Sequence, residues 1–319
     1  MQHIQVSEQV QFKTGVVGPR RQSWDNVLKQ VQAFSFTVPA LILLAVFLVY
    51  PIGYVVFLSF QRWNLLGTPT FIGLHNYYTI FFVDPSFLQS VGVTVLFVIL
   101  AVPTQIALGL LMALLIEDEF RGRTFFRTVF FIPMVISFVA AGITFEWMFS
   151  TGANLGLFPQ LFANVGLKFP DWQHTNGIMA MVMVVIMNTW KSAGFSMILY
   201  LAGLQSISPE LYEAGQIDGI GNTWQKFRHI AWPLLAPTTT LLIITNTIGS
   251  FQAFVPFLVM TNGGPSGATT SIIFYIYNTF ATRTGVASAA ATVFLIVVLI
   301  ITAVQLIVSR RQEAYSSGV

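Results

Sequence analysis

The 319-residue chain contains no cysteine and has charged side chains at only 8% of its positions. The first absence excludes disulfide bonds, thiolate metal sites and cysteine nucleophiles. The second lies far below the charged share of about 25% that is usual in soluble domains, while 55% of the residues are hydrophobic. These values predict a membrane protein. The net charge of +3 is small and the basic residues form no single stripe, which argues against a nucleic-acid partner.

Sequence signatures of catalytic and nucleotide sites are also missing. No lysine completes the phosphate-binding pattern G-x-x-x-x-G-K-[ST], so the chain is not expected to hydrolyse ATP by itself. The four histidines lie in different segments and form no H-E-x-x-H pattern: His3, His75, His174 and His229. A G-x-S-x-G serine elbow is absent as well. We therefore predict no catalytic residue, no metal site and no cofactor within this chain.

Long apolar runs dominate what the sequence does contain. A helix needs about 20 mostly apolar residues to cross a bilayer core, and six stretches reach that length: 34–60, 90–116, 125–149, 178–204, 232–257 and 286–309. They predict an all-α, multi-pass membrane protein with one six-helix domain over 34–309, flanked by tails at 1–33 and 310–319. The apolar stretch 269–280 is too short to span and predicts an outer interfacial or re-entrant helix.

The positions of lysine and arginine predict the orientation of the six spans, because these residues are enriched in cytoplasmic loops. One side carries eleven of them: Lys13, Arg20, Arg21, Lys29, Arg121, Arg123, Arg127, Lys226, Arg228, Arg310 and Arg311. The opposite side carries three: Arg62, Lys168 and Arg283. Both tails and the loop 205–232 are therefore predicted to be cytoplasmic.

The first half of the loop 205–232 has the pattern of a short, capped helix. Ser208 followed by Pro209, with Glu210 in the first turn, is a strong helix start. Asp218-Gly219 supplies a stop, because glycine accepts the left-handed conformation at little cost. The sequence predicts a helix of about two and a half turns between these signals.

The second half of the loop predicts another helix. Asn222 and Gln225 have the spacing of a capping box, and the helix should run toward Pro233, where the fifth span starts. From the residues alone, two capped helices fit an ordinary interfacial loop as well as a docking element.

A family resemblance favours the docking element. The loop contains E-A-x-x-x-D-G followed by I-x-x-P, which resembles the EAA loop of the inner-membrane permease subunits of binding-protein-dependent ABC importers. The matching residues are Glu213, Ala214, Asp218, Gly219, Ile230 and Pro233. Two positions depart from the family pattern, since Gly215 stands where alanine is common and Trp232 where leucine is usual.

Sequences on both sides of the loop extend the resemblance to the sugar-importing branch, which contains maltose-type and glycerol-3-phosphate-type systems. They are LAGLQSISPELYEAG (201–215), FLVMTNGGPSGATTS (257–271) and GVASAAATVFLIVVLI (285–300), with RGRTFFRTVFFIP (121–133) also similar. The first four predicted spans resemble the family mainly in number and hydrophobicity.

The resemblance implies a type I ABC importer permease fold and a transport subunit of the cell inner membrane, not an enzyme. It implies that the chain forms half of a translocation path for a carbohydrate or related polyol, in a heterodimer with a second permease subunit. Two ATPase subunits, which bind ATP and Mg, and an extracytoplasmic substrate-binding protein complete the implied assembly. The implied ATPase-coupling residues are Glu210, Glu213, Ala214, Gly215, Asp218 and Gly219.

Polar residues inside the predicted spans are candidates for the substrate path, because they are costly in lipid and usually face a cavity or a partner. Together with one aromatic residue that can stack on a sugar, the candidates are Asn188, Lys191, Asn246, Phe251 and Gln252. Lys191 has three possible roles: reaching toward an interface, pairing with an internal carboxylate, or binding an anionic or polyhydroxyl solute.

An ion-gradient-driven secondary transporter is the alternative function. Such a protein is expected to carry ionisable relays within its spans, or paired broken helices in its two halves. In this sequence only Lys191 and Glu146 approach that description.

Overall fold

The computed structural model of the protein describes residues 24–118, 120–151, 155–174 and 176–316. The chain is divided between Tyr54 and Val55 into two units, each of which is described by itself. Several basic residues used to predict the orientation lie outside the described residues, either entirely or by their side chains: Lys13, Arg20, Arg21, Lys29, Arg310 and Arg311.

The described part of the first unit is helical from Trp24 onward. Helix α1 spans Trp24–Leu44, a π-helical turn follows at Ala45–Val49, and α2 (Tyr50–Ser59) begins in this unit. Its apolar side chains are largely exposed, as expected for a surface that contacts lipid. The predicted span 34–60 corresponds to Phe34–Ser59.

Helices make up most of the described second unit. Strands β1 (Gln61–Arg62) and β2 (Thr70–Phe71) pair antiparallel, with Gln61 opposite Phe71. The helices in chain order are α3 (His75–Tyr78), α4 (Pro85–Leu115), α5 (Arg123–Val135), α6 (Phe138–Phe149), α7 (Leu157–Asn164), α8 (Gly177–Gln205), α9 (Pro209–Ile217), α10 (Thr223–Lys226), α11 (Trp232–Leu234), α12 (Ala236–Phe251), α13 (Val255–Met260), α14 (Ile272–Phe280) and α15 (Thr284–Ser316), with π-helical turns at Thr79–Val83 and Phe227–Ala231.

Four described helices are long and apolar enough to cross a membrane: Phe34–Ser59, α4, α8 and the Thr284–Ser309 part of α15. Two helix pairs pass the same test together but are bent. The bend is 99° between α5 and α6, and 65° between Thr223–Leu234 and α12. Six spans result if each pair counts as one, in agreement with the predicted all-α, six-span protein.

The predicted span 125–149 is interrupted near its middle. Pro133 lies in the last turn of α5, and a proline disturbs the helical hydrogen-bond ladder around it. Ile136 is then extended, with φ −65° and ψ 140°. Ser137 starts α6 as its N-cap, because its hydroxyl accepts a hydrogen bond from the Val139 N–H at 3.3 Å. The chain therefore stops one helix and starts another inside one apolar run.

The predicted span 232–257 is also divided, into α11, α12 and α13. Each of these helices has a proline in its first two positions, namely Pro233, Pro237 and Pro256. Proline favours the first helical turn, where its missing N–H costs nothing. The single predicted span therefore contains three helix starts.

The short helix predicted within 269–280 is present as α14, and Asp84 at the start of α4 contacts it. The Asp84 carboxylate accepts hydrogen bonds from the Tyr275 hydroxyl at 3.0 Å and from Arg283 at 2.8 Å. Burial alone raises the pKa of Asp84, but the hydrogen bonds from Arg283, Tyr275 and the Ser86 N–H, with the charge of Arg283, hold that pKa below its ordinary value.

Helix α8 is the centre of the second unit and packs against α4, α5 and α12. Its middle is mostly buried, whereas the span in α15 is mostly exposed. Close approach to α5 requires Gly194, where an added Cβ would lie 2.6 Å from the Phe130 carbonyl oxygen. On the α4 side, the Thr104 and Thr189 hydroxyls are 2.9 Å apart. Helix α8 is therefore the scaffold against which the bent spans are held.

Candidate functional site

Helix α9 in the loop 205–232 has the bounds and the caps that the sequence predicts. The Ser208 hydroxyl accepts a hydrogen bond from the Glu210 N–H at 3.3 Å, and Pro209 occupies the first turn. At the other end Gly219 has φ +88°, a left-handed conformation that glycine adopts without strain. The Ile220 N–H donates to the Gly215 carbonyl at 2.8 Å and closes the turn. The loop thus holds α9 as a short helix that is capped at both ends.

Gly215, the first departure from the family pattern, is buried inside the loop. A Cβ at this position would lie 2.7 Å from Cδ1 of Ile230 and 3.4 Å from Cδ1 of Ile220. The end of the Ile230 side chain therefore occupies the space that an alanine methyl would need. This contact joins α9 to the π-helical turn Phe227–Ala231.

The predicted capping box at the second loop helix is confirmed. The Gln225 N–H donates to Oδ1 of Asn222 at 2.7 Å, and Oε1 of Gln225 accepts from the Asn222 N–H at 3.4 Å. Trp232, the second departure from the family pattern, packs its ring 5.9 Å from that of Phe227, which in turn lies 5.7 Å from Trp224. Three aromatic rings thus connect α10 to α11.

Outside this loop, the segment after α4 brings a carboxyl group near α9. Burial and the charge of Glu117 raise the pKa of Tyr212 on α9. The pKa of Glu117 is itself raised by burial and by Asp118, while Arg123 opposes that shift. The loop between α4 and α5 and the helix α9 therefore share one electrostatic environment.

One face of α9 remains open to solvent. Glu210, Glu213, Ala214 and Ile217 follow a helical spacing and are all exposed, with Ile217 exposed to 88%. Asp218 and Gly219 are exposed at its end. Of the six predicted coupling residues, five lie at this surface and Gly215 lies behind it. Ile217 was missed from the sequence, although its position four residues after Glu213 places it on the same face.

A cavity of about 250 Å³ lies where the first bend and α12 face α8. Its walls are formed by Phe138, Asn188, Gly249, Gln252, Ala253, Phe254, Val255 and Pro256. Two of the five predicted substrate-path residues, Asn188 and Gln252, are among them. Phe138 and Phe254 add aromatic rings that the sequence did not single out, although Phe138 directly follows one helix break and Phe254 lies in another.

The other three predicted path residues have partners elsewhere in the described structure. The Asn246 side-chain amide donates to the Ser196 hydroxyl at 3.1 Å. Phe251 packs 6.4 Å from the Phe294 ring and lines an apolar pocket between α4 and α15. The Lys191 ammonium donates to backbone carbonyls at the first bend. These three do not line the cavity that Asn188 and Gln252 share.

A model of the family described as "Binding-protein-dependent transport system inner membrane component" matches residues 105–313. The chain belongs to this family. The resemblance to inner-membrane permease subunits that the loop motif indicated is thereby confirmed.

Several relatives align with this permease along most of its length. The sn-glycerol-3-phosphate transport system permease protein UgpA of Brucella suis is 31% identical, over 90% of this chain and 97% of the relative. The multiple sugar-binding transport system permease protein MsmF of Streptococcus mutans is also 31% identical, over 90% and 98%. The lactose transport system permease protein LacF of Rhizobium radiobacter is 35% identical, over 85% and 90%.

A solved structure has the same fold. One chain of a bacterial ABC transporter involved in the import of the acidic polysaccharide alginate matches this permease with a TM-score of 0.79 at 24% identity. The match covers 90% of this permease and 98% of that chain. The predicted type I ABC importer permease fold is confirmed by this likeness.

Proposed function

We propose that this permease forms half of the translocation path of an ATP-driven importer for a carbohydrate or related polyol. The proposed assembly contains a second permease subunit, two ATPase subunits and an extracytoplasmic substrate-binding protein. Both tails and the loop 205–232 face the cytoplasm. ATP and Mg bind to the ATPase subunits, and this chain transports without supplying a catalytic group.

The open face of α9 is the observation that carries the coupling role. It offers two carboxylates, Glu210 and Glu213, beside two apolar side chains, Ala214 and Ile217. An isoleucine that is 88% exposed next to charged groups is typical of a surface that another protein covers. The opposite side of α9 rests on Ile230, three residues before Pro233. Movement of α9 by a partner is thus passed to α11 and α12.

The cavity supports the solute class. Asn188 and Gln252 offer amide donors and acceptors for hydroxyl groups, and Phe138 and Phe254 offer rings for the apolar faces of a sugar. Small-molecule sites usually measure about 300–1,000 Å³, which is larger than this cavity of about 250 Å³. A second permease subunit would supply the remaining wall.

The ion-gradient alternative has less support. It shares the bent spans with this structure, but the two ionisable residues on which it depended have other partners. Glu146 accepts a hydrogen bond from Gln173 at 2.9 Å, and Lys191 contacts backbone carbonyls. Within the described residues they do not form a relay.

Replacing Gly219 by valine tests the coupling role. At φ +88° a β-branched side chain is strained, so helix α9 should shift on its partner while the spans remain inserted. We expect assembly and ATP hydrolysis to persist and uptake per ATP to fall about tenfold, the effect of about 1.4 kcal/mol. The rates of uptake and of ATP hydrolysis are measured on purified complexes in proteoliposomes, with the loaded binding protein supplied either inside or outside the vesicles.

Gly221→Val is the matched control, since Gly221 has an ordinary φ and nothing within 4 Å of an added Cβ. Its uptake should equal that of the unchanged protein. Normal uptake by an assembled Gly219→Val complex would count against the coupling role. Uptake that ignores ATP and stops when an ion gradient is removed would favour the secondary transporter. Sugars, polyols and phosphorylated polyols, offered in turn, identify the solute class.

A further inference from the structure

Lys191 lies in the middle of α8 with only 6% of its surface exposed. Among the described residues, no carboxylate lies within ion-pair distance of its ammonium group. A buried cation inside a membrane span is costly unless its donors are satisfied and its charge is balanced. The environment of this side chain must therefore satisfy its N–H donors and balance its charge.

Backbone carbonyls at the end of α5 satisfy the donors. Nζ of Lys191 lies 2.5 Å from the Ile136 oxygen, 3.0 Å from the Met134 oxygen and 3.5 Å from the Pro133 oxygen. The last carbonyls of a helix have no partner within it, and the 99° bend removes the next turn that would have covered them. An ammonium has three N–H donors, so the numbers match.

The same location balances the charge. The C-terminal end of a helix carries a partial negative charge, which attracts a cation placed there. The Phe138 ring centroid lies 4.4 Å from Nζ, close enough for a cation–π contact. Phe138 is the first residue of α6, so the lysine contacts the last turn before the bend and the first residue after it.

Gly194, one turn further along α8, determines how closely α5 approaches α8. Its missing side chain allows the Phe130 carbonyl of α5 to approach closely. Gly194 and Lys191 lie on one face of α8, three residues apart. Gly194 allows the α5 backbone to approach, and Lys191 binds the carbonyls at the end of that helix.

We propose that Lys191 is a positioning residue for transport: it fastens the bent span to α8 and thereby sets Phe138 in the wall of the cavity. Non-helical backbone at membrane depth requires donors from a neighbouring element, and Lys191 provides them from the central scaffold. The substrate meets Phe138, and Lys191 acts through that ring. This inference rests on the proposed function, because it takes the cavity to be part of the translocation path.

Because this chain contains no cysteine, a single introduced thiol can report on the cavity and test the role of Lys191. Gly249 lines the cavity and has nothing within 4 Å of an added Cβ, so Gly249→Cys places a thiol reporter in open space. The full transporter with this reporter is compared with and without Lys191→Met, which keeps the length of the side chain and removes its donors. A small methanethiosulfonate reagent measures the accessibility of the thiol without requiring transport.

With Lys191→Met we expect the labelling rate to change at least about fivefold, and the KM for uptake to rise about tenfold, as for the loss of one well-placed contact. Lys191→Arg, which keeps donors and charge, should restore part of both values. Lys168→Met removes an exposed lysine of an outer loop and should change neither. An assembled Lys191→Met complex with labelling and KM within about twofold of the reporter protein would overturn the proposal.

Phe138→Leu covers the case in which Lys191→Met does not assemble. It leaves the lysine-to-carbonyl contacts and removes only the ring, so the fold should persist while labelling and KM change. Failure of Lys191→Met to assemble, combined with unchanged labelling and KM for Phe138→Leu, would contradict the positioning role and leave Lys191 a purely structural residue. If the unchanged protein takes up no carbohydrate, the proposed function fails, while the labelling result still decides the role of Lys191.

Discussion

The two bent spans differ in what holds the backbone at the bend. Between α5 and α6 the chain turns by 99° through an extended residue, Ile136, and a side chain from α8 satisfies the freed carbonyls. Between α11 and α12 it turns by 65° through Leu235, whose φ of −80° and ψ of −1° remain near helical values. At the larger bend the freed carbonyls bind a side chain of α8, whereas at the smaller one backbone hydrogen bonds continue on both sides of Pro237, which itself supplies no donor.

The hydrogen bonds at the second bend show this continuity. The Leu235 N–H donates to the Ala231 carbonyl at 2.9 Å, and the Thr239 N–H donates to the Leu235 carbonyl at 2.8 Å. A bend crossed by backbone hydrogen bonds is expected to move more nearly as one body, which suits the span that follows the loop 205–232. The first bend depends on contacts with α8 and suits a wall that must stay in place. Breaking each set of contacts separately tests this distinction.

The largest effect is expected where α8 meets the α5 backbone. Gly194→Ala would place a methyl 2.6 Å from the Phe130 carbonyl oxygen, and a backbone atom cannot rotate away. We expect a loss of about 1–3 kcal/mol of stability, typical of overpacking, and a lower melting temperature of the purified transporter followed by intrinsic fluorescence.

Gly203→Ala is the matched change beside the second bend. Its added Cβ would lie 2.8 Å from Oγ1 of Thr238 and 2.9 Å from Cδ2 of Leu235, and both atoms belong to side chains that can turn aside. The melting temperature should therefore fall less than for Gly194→Ala. An equal or larger fall would mean that the two bends are held by α8 in the same way.

Local rules predicted the loop helices because their signals are local. Ser208, Asn222, Gln225 and Gly219 act on neighbours within four residues, and each has the predicted contact or conformation. Hydrophobicity likewise found the spans, since their length is set by the bilayer. These parts of the fold can be predicted without knowing which elements pack against them.

The bends and the partners of Lys191 depend on tertiary structure. Pro133 is visible in the sequence, but proline within a span can kink a helix or end it, and the neighbouring helix decides which. For Lys191 the sequence offered an interface, a carboxylate or a solute as partner. The structure shows backbone carbonyls, which become available only because the helix ends at Val135. The same break also decides which of the predicted path residues line one cavity, because it brings Phe138 to the cavity that Asn188 and Gln252 share.

A smaller effect is expected at the contact between Gly215 and Ile230, just before the second bend. Gly215→Ala brings a methyl to 2.7 Å from Cδ1 of Ile230, the mobile end of a side chain. Ile230→Val removes that methyl and should relieve the conflict. The double-mutant cycle should show a favourable coupling of about 0.5–1 kcal/mol, measured by the melting temperature and by ATPase stimulation with the loaded binding protein.

Gly221→Ala provides the control for this cycle, because its added Cβ meets nothing within 4 Å. It should show no coupling with Ile230→Val. If Ile230→Val lowered the melting temperature of Gly215→Ala still further, Cδ1 of Ile230 would not occupy the space that the alanine methyl needs. Helix α9 would then have to be connected to α11 through another contact.

The smallest effect is expected at the neutral hydrogen bond beside the second bend. The buried Tyr200 hydroxyl on α8 donates to Oγ1 of Thr239 at 3.1 Å. Because backbone hydrogen bonds already cross this bend, Tyr200→Phe should cost only about 0.6 kcal/mol, the usual value for such bonds between membrane helices. The melting temperature should change slightly and uptake should remain normal. A loss of transport as large as that of Lys191→Met would show that the second bend also depends on a side chain of α8, and the contrast between the two spans would then lie in their angle alone.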